Sequence, residues 1–224
     1  MLLYCLGDSI TAGPGVPAAK RWTSLVAQRT GWTVVNCGVS GDTGLGMLLR
    51  LQTLLAQKLS PAMYAGEQPW VYLWGGCNDI FCGGTDSCAR LPMATMLHQL
   101  LSAGIQPVVG LPLPVIACDV PSPWAETADF PAAEKMLGRY SAWLAGFCAS
   151  FHVETVDFQP DFMQENGLAR RELFLDGLHP TAQRHSLVAS RLIARLSGIA
   201  SAETGRAACG RSGKPTQAAQ REGI

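Results

Sequence analysis

Ser9 lies in the stretch GDSIT, directly after a short apolar run, and is a candidate nucleophile. A serine hydroxyl attacks a carbonyl carbon when a nearby base takes its proton and a third group orients that base. The stretch LDGLHPT supplies both groups, since Asp176 and His179 are three residues apart. A carboxylate at that spacing can accept the Nδ1 proton of the imidazole while Nε2 faces a serine. Ser9, Asp176 and His179 therefore form a candidate triad.

Two further stretches contain groups that can stabilise negative charge on a carbonyl oxygen under attack. In SGDTG, Gly41 has no side chain, so its backbone N–H can face an incoming oxygen. In GGCNDI, Asn78 can direct a side-chain amide into the same space. Each stretch alone also fits ordinary turn chemistry, in which Asp42 or Thr43 caps the helix that follows. Their joint occurrence with the candidate triad favours catalysis.

The pattern of apolar residues predicts an α/β fold that brings these stretches together. Short apolar runs indicate strands at 2–6, 33–36, 70–74, 107–111 and 152–157. Helices are predicted at 17–30, 43–59, 91–103, 132–150 and 181–197. Strands and helices that alternate in this way form a parallel sheet covered by helices. Ligands bind outside the carboxyl ends of such strands, where the predicted turns with chemical groups lie.

The composition predicts one domain over 1–197 and a disordered tail over 198–224. The chain has 224 residues, of which 48% are apolar and 15% are charged, and this composition is sufficient for one sizeable core. After residue 197 the apolar periodicity ends and Gly, Ala, Arg and Gln dominate.

The charge pattern and the N-terminus restrict partners and location. The net charge is +0 and basic residues are scattered, which argues against binding to nucleic acid. No apolar run is long enough for a transmembrane helix, so stable membrane insertion is not expected. The N-terminal stretch lacks the basic start and the long apolar segment of a signal peptide, which predicts a cytoplasmic protein. If an upstream signal has been removed, a periplasmic or secreted location is expected instead.

The cysteines are predicted to be ordinary thiols. Cys77, Cys82 and Cys88 cluster in sequence, but neither a second C-x-x-C pair nor a histidine pair accompanies them, so a metal site is disfavoured. A disulfide between Cys82 and Cys88 stays open as an alternative.

The residues that carry this pattern resemble the GDSL/SGNH hydrolase superfamily. The four landmarks of that family match Ser9 in GDSI, Gly41 in SGDTG, Asn78 in GCND and His179 in DGLHP. The stretches VVNCGVSGDT and LWGGCND look most like the bacterial esterases related to thioesterase I and lysophospholipase L1. Ile10 stands where the family motif has leucine, a difference that conserves volume.

The resemblance implies a flavodoxin-like three-layer αβα sandwich with a five-stranded parallel sheet. It implies that Ser9 is the nucleophile, His179 the base and Asp176 the orienting acid. It also implies an oxyanion hole made of the Ser9 N–H, the Gly41 N–H and the Asn78 side chain. The implied reaction is hydrolysis of carboxylic esters, with thioesters as a further class, through an acyl-enzyme and without a metal or cofactor.

Loops at 79–90 and 112–131 are predicted to form the substrate walls. The predicted substrate-binding residues are Asp8, Ile80, Phe81 and Trp124. Apolar walls favour an acyl chain over a sugar, because each buried methylene contributes about 0.8 kcal/mol. The expected partner is therefore a small-molecule acyl ester. Two alternatives stay open, a carbohydrate O-acetyl esterase on the same machinery and a non-catalytic binding module of the same fold.

Overall fold

The structure is a computed structural model that describes the backbone of residues 1–209 and the side chains of residues 1–199. Its sheet has five strands in the order β2-β1-β3-β4-β5, and every neighbouring pair is parallel. The strands are β1 (Leu2–Gly7), β2 (Thr33–Gly38), β3 (Pro69–Trp74), β4 (Gln106–Gly110) and β5 (Glu154–Val156). The predicted five-stranded parallel sheet is confirmed.

Helices cover both faces of the sheet, which gives the predicted three layers. The helices of the described chain are α1 (Ser9–Ala12), α2 (Trp22–Thr30), α3 (Gly44–Leu54), α4 (Ser60–Tyr64), α5 (Cys77–Gly83), α6 (Ser87–Ser102), α7 (Ser122–Ala125), α8 (Phe130–Ser150), α9 (Gln159–Phe162) and α10 (Ala182–Cys209). A π-helical turn at Leu55–Leu59 joins α3 to α4. Helices α3, α6 and α8 pack on one face, and α2 and α10 pack on the other.

The central strand β1 holds the following turn in place because both of its faces are buried. Leu3 and Cys5 belong to the core beneath α2 and α10, whereas Tyr4 and Leu6 belong to the opposite core. Burial on both faces explains why the strand is a continuous apolar run rather than an alternating one. Full burial of each large apolar side chain contributes about 1.5–3 kcal/mol to the stability of the fold, so the end of β1 holds Ser9 in a fixed position.

The segment after β3 differs from the loop predicted at 79–90. Gly76 has a φ of 104°, which turns the chain into α5, and Gly84 ends that helix with a φ of 63°. Helix α6 then begins at Ser87 rather than at 91 and contains Pro92. The prediction of a loop over 79–90 is therefore wrong for most of that length.

The last helix crosses the predicted domain boundary at 197. Helix α10 continues to Cys209, and Ile199 packs on the core one turn after Leu196. The helical spacing of the two side chains explains this continuation. The remainder of the predicted tail, 210–224, lies outside the described residues.

Three findings concern the expected membrane, thiol and metal properties. Within the described part of the chain, no helix is long and apolar enough to cross a membrane. Cys82 and Cys88 are exposed free thiols, so the alternative of a disulfide between them is not present in this structure. Among the described side chains, no cluster of histidine, cysteine and carboxylate groups could hold a metal ion.

Candidate active site

Ser9 begins α1 at the carboxyl end of the central strand. Asp8 caps this helix, because its Oδ1 accepts a hydrogen bond from the Ile10 N–H at 2.9 Å. Gly7 is needed just before the turn, since a Cβ there would lie 2.6 Å from the Trp74 carbonyl oxygen. The close approach of β1 and β3 and the helix cap together fix the position of the serine.

Ser9, His179 and Asp176 form a continuous chain of hydrogen bonds. The Ser9 Oγ lies 2.8 Å from His179 Nε2, and His179 Nδ1 lies 2.7 Å from Asp176 Oδ2. The other carboxylate oxygen, Oδ1, accepts the backbone N–H groups of Leu178 at 3.1 Å and His179 at 2.8 Å. One oxygen therefore shapes the turn while the other contacts the imidazole. The structure brings together the three residues predicted as a triad.

The surroundings of Asp176 favour its ionised form. Partial burial raises the pKa of this carboxyl, but hydrogen bonds from the His179 side chain and backbone outweigh burial and lower the pKa overall. An ionised acceptor at Nδ1 retains the proton there and leaves Nε2 as the acceptor toward the serine hydroxyl. Chemically, the arrangement can remove a proton from Ser9.

The long segment after β4 supports the turn that carries Asp176 and His179. The Ile116 N–H donates to the Gly177 carbonyl oxygen at 2.9 Å. Gly177 has a φ of 77°, and a Cβ there would lie 2.5 Å from the Ile116 carbonyl oxygen. Only glycine fits this conformation and this contact. An ion pair between Asp119 and Arg171 adds a second connection from the same segment.

Gly41 and Asn78 are joined through the residue that follows Gly41. Gly41 has a φ of 77°, and the space that a Cβ would occupy there is open. Asn78 lies in the first turn of α5, and its Nδ2 donates to the Asp42 carbonyl oxygen at 2.8 Å. A side-chain amide has two N–H groups, so one remains for another acceptor. Of the two predicted caps for α3, the structure uses Thr43.

Two buried carboxyl groups adjoin these turns. Asp79 Oδ2 accepts the Gly44 N–H at 2.7 Å and so fastens the start of α3 to α5. Burial raises the pKa of Asp79, although the Gly44 N–H opposes this effect. Burial also raises the pKa of Asp8 to about 6, against the lowering effects of the Ile10 N–H and of His179. The site therefore contains two carboxyl groups whose pKa is raised by burial as well as one, Asp176, whose pKa is lowered.

Arg50 is a site residue that is absent from the sequence-based prediction. Its Nε donates to Asp42 Oδ2 at 2.8 Å, and its Nη2 donates to the Gly7 carbonyl oxygen at 3.0 Å. Its Nη1 donates to the Cys37 carbonyl oxygen, and Nη2 also contacts Asp42. Two of these partners are backbone carbonyls at strand ends. No sequence motif signals such contacts for an arginine within a predicted amphipathic helix.

The four predicted substrate-binding residues divide into two groups. Asp8 is 2% exposed and Ile80 is 1% exposed, so neither is open to a substrate. This corrects the prediction, because Asp8 caps α1 and the helical phase of α5 turns Ile80 into the core. Phe81 is half-buried and packs on Phe130, with ring centroids 5.0 Å apart. Trp124, on α7, is 64% exposed.

Comparisons with known proteins give a family match over most of the chain. The sequence model of the GDSL-like Lipase/Acylhydrolase family matches residues 5–187. Esterase TesA of Pseudomonas aeruginosa is 28% identical over 189 residues, which cover 80% of this chain and 86% of that protein. Thioesterase 1/protease 1/lysophospholipase L1 of Escherichia coli is 26% identical over 208 residues, which cover 88% of this chain and 84% of that protein.

A solved structure shows the same fold at lower sequence identity. Est24, a carbohydrate acetylesterase from Sinorhizobium meliloti, superposes with a TM-score of 0.70 at 20% identity. The match covers 88% of this chain and 98% of Est24. The five-stranded parallel sheet with helices on both faces is therefore an architecture that both chains share.

Proposed function

The chain belongs to the GDSL-like lipase/acylhydrolase family, and from that premise we propose that it hydrolyses carboxylic esters of acyl chains through an acyl-enzyme on Ser9. The family match and the esterase and thioesterase relatives make it an ester-cleaving hydrolase, and the match confirms the resemblance drawn from the motifs. The single observation that carries the proposed mechanism is the hydrogen-bond chain from Ser9 Oγ through the His179 imidazole to Asp176.

In the proposed mechanism, His179 is the general base and Asp176 orients it. His179 Nε2 takes the Ser9 proton while Oγ attacks the ester carbonyl carbon, and the imidazolium that forms is stabilised by the Asp176 carboxylate. The same Nε2–H then protonates the leaving alcohol, or the leaving thiol of a thioester. A water molecule then attacks the acyl-enzyme while His179 takes its proton, and His179 returns that proton to Ser9 Oγ as the carboxylic acid leaves.

The proposed oxyanion hole consists of the Ser9 N–H, the Gly41 N–H and the Asn78 amide. Three features support it. Ser9 lies in the first turn of α1, where backbone N–H groups have no partner within the helix. Gly41 leaves its surroundings open, and Asn78 is anchored by one N–H and retains the other. Preorganised donors of this kind stabilise the charge that develops on the carbonyl oxygen.

Covalent labelling tests the nucleophile. We expect a fluorophosphonate to label Ser9, and we expect Ser9→Ala to lose both labelling and ester hydrolysis, because among the described side chains only the Ser9 hydroxyl donates to His179 Nε2. Ser40→Ala is the matched control, since Ser40 is exposed at the same edge of the sheet and should keep full activity. Labelling of another serine, or turnover by Ser9→Ala, would contradict the mechanism and favour the binding module.

A series of aryl esters tests the substrate class. We expect kcat/KM to rise from acetyl to medium-chain esters by about fourfold per methylene that is buried, which corresponds to about 0.8 kcal/mol. Trp124→Ala should flatten this rise, because Trp124 is predicted to contact the acyl chain, whereas Leu168→Ala, at an exposed apolar side chain elsewhere, should leave it unchanged. Efficient cleavage of acetylated xylan with rejection of longer chains would favour the carbohydrate O-acetyl esterase instead.

A further inference from the structure

We propose that Arg50 is a positioning residue that acts through Asp42 to hold the proposed oxyanion hole in register with the nucleophile. This inference rests on the proposed function of Ser9. Arg50 projects from α3 and contacts three separate segments, which are the ends of β1 and β2 and the turn that follows Gly41. It thereby connects the segment that carries the nucleophile with the segment that carries a donor of the oxyanion hole.

The first set of contacts joins Arg50 to the sheet. Its Nη2 donates to the Gly7 carbonyl oxygen at 3.0 Å, and its Nη1 donates to the Cys37 carbonyl oxygen. Gly7 is the last residue of β1, and Ser9 follows two positions later. A side chain of α3 is thus hydrogen-bonded directly to the backbone that sets the position of the nucleophile.

The second set of contacts joins Arg50 to the turn. Its Nε donates to Asp42 Oδ2 at 2.8 Å, and Nη2 contacts the same oxygen. The two side chains are 29% and 12% exposed, so salt screens this pair less than a pair on an open surface. The first turn of α3 also leaves room for the carboxylate, because a Cβ at Gly46 would overlap Asp42 Oδ1.

The position of Asp42 affects the two proposed donors that lie outside α1, which are the Gly41 N–H and the Asn78 amide. Asp42 follows Gly41 directly in sequence, and its N–H donates to the Val39 carbonyl oxygen at 3.2 Å, so it closes the turn that contains the Gly41 N–H. Its carbonyl oxygen accepts the Asn78 Nδ2–H at 2.8 Å, so the same residue also orients the amide. A movement of Asp42 would therefore displace Gly41 and Asn78 together, and a misplacement of about 1 Å can lower a rate about 100-fold.

The chemistry of the contact requires arginine. The planar guanidinium directs several N–H groups outward in a fixed fork and reaches a carboxylate and two carbonyl oxygens at once. A lysine has one ammonium group on a flexible stem and cannot match that geometry. Arg50→Lys should therefore restore only part of the function that is lost in Arg50→Met.

Arg29 is a matched control. It also joins two elements by several hydrogen bonds, since its Nη1 donates to the Ser186 carbonyl oxygen at 3.0 Å and to Ser190 Oγ at 2.8 Å. It lies in the last turn of α2, shortly before β2 begins, and so at the amino end of the sheet, opposite the site. Arg29→Met removes a comparable set of bonds without touching the proposed oxyanion hole.

The experiment measures kcat and KM for an aryl ester, with active sites counted by complete fluorophosphonate labelling. For Arg50→Met we expect kcat per labelled site to fall about 10- to 100-fold, with KM changed by less than about twofold. Arg50→Lys should fall between this variant and the wild type, and Arg29→Met should keep kcat within about twofold. An unchanged kcat in Arg50→Met, or an equal loss in Arg29→Met, would overturn the proposal.

An alkyl boronic acid separates positioning from a general loss of structure. Its boron accepts the Ser9 Oγ, the serine proton passes to His179, and a boron-bound hydroxyl occupies the place of the oxyanion. We expect its inhibition constant for Arg50→Met to rise by the same factor by which kcat/KM falls, while an uncleavable ether analogue of the substrate binds as in the wild type. Weaker binding of the ether by that same factor would overturn the proposal.

Asp42→Asn tests the route through Asp42 and covers the case in which Arg50→Met does not fold. It removes the charge but keeps the shape, and it should lower kcat in the same direction. The double variant with Arg50→Lys and Asp42→Asn should lose no more kcat than the worse of the two single variants, because each change already breaks the contact between Arg50 and Asp42. Additive losses would overturn the proposal. If the wild type is not labelled at Ser9, the proposed function fails; if it is labelled and the Arg50 variants keep kcat, only this inference fails.

Discussion

Asp176 divides its two carboxylate oxygens between structure and chemistry. Oδ1 accepts two backbone N–H groups and shapes the turn, whereas Oδ2 contacts the imidazole of His179. The two tasks can therefore be separated by a substitution that keeps the first oxygen and changes the second. Asparagine does this, because its amide has one acceptor oxygen and one donor nitrogen.

We predict that Asp176→Asn lowers kcat by about 10³- to 10⁴-fold with little change in melting temperature. The asparagine oxygen keeps the turn, but its NH₂ group faces Nδ1 and favours the tautomer with the proton on Nε2, which cannot accept the Ser9 proton. Steady-state kinetics and thermal unfolding check this. Activity close to that of the wild type, or a drop in melting temperature large enough to explain the loss, would contradict the assigned role.

At the scale of residues, the sequence predicts those functional residues that can be recognised from their neighbours along the chain. Asp176 and His179 are recognisable because the turn that joins them is local, and Ser9 because its turn follows an apolar strand. Arg50 is not recognisable, since its partners are backbone atoms from distant parts of the chain. The sequence predicts Ile80 in a substrate wall, because an apolar residue in a loop is expected to be accessible, whereas the helical phase of α5 buries it.

Among the elements, α2 and α10 are joined by a buried histidine. The Trp22 N–H, in the first turn of α2, donates to His185 Nδ1 at 3.1 Å. Such N–H groups have no partner within their own helix, so the neutral imidazole serves as the cap. Burial, together with a smaller effect of the nearby Arg21, lowers the pKa of His185 to about 4.

We predict that this contact makes stability fall as the pH drops from about 6.5 towards 4. The unfolded chain takes up a proton near pH 6.5, whereas the folded chain resists it until about pH 4, so the contribution is complete above pH 6.5 and is lost below it. Between pH 7.5 and pH 5, the free energy of unfolding should fall by about 2 kcal/mol more in the wild type than in His185→Asn, which keeps an acceptor but does not titrate.

Urea unfolding at the two pH values measures the difference. Asp8 acts in the opposite direction, because its raised pKa makes the folded chain lose stability as the pH rises from 3.8 to about 6. Both proteins contain Asp8, so its effect cancels in the comparison. Equal pH dependence in the wild type and in His185→Asn would show that His185 does not carry the effect.

Long elements were predictable from the sequence and short ones were not. The strands follow from apolar runs, because burial on both faces of a parallel sheet leaves no alternation to obscure them. Helix α5 was missed because its seven residues, CNDIFCG, are too few to show a helical period. Gly76 and Gly84 set the two ends of α5, and these ends, rather than the helix propensity of the residues between them, determine the helix. The start of α6 is predicted too late for a related reason. A proline usually marks the first turn of a helix, whereas Pro92 lies inside α6.

At the scale of the whole molecule, the sequence carries no formal net charge. The formal net charge is +0 and the isoelectric point calculated from the sequence is about 6.9. Molecules without net charge repel each other least, so we predict that solubility is lowest near pH 7 and rises by pH 8.5. Precipitation or light-scattering measurements across this range check the prediction. A minimum far from pH 7 would indicate that local patches, rather than net charge, dominate association.

The position of β1 has a practical consequence for attaching this enzyme to a support. The strand runs from Leu2 to Gly7, and Ser9 follows at its far end. Six residues at about 3.3 Å each place the start of β1 about 20 Å from the nucleophile. A tether joined ahead of Leu2 would leave at the amino side of the sheet. On a bead or an electrode, such a tether would turn the carboxyl edge outward, so that reagents reach Ser9 from the solution side.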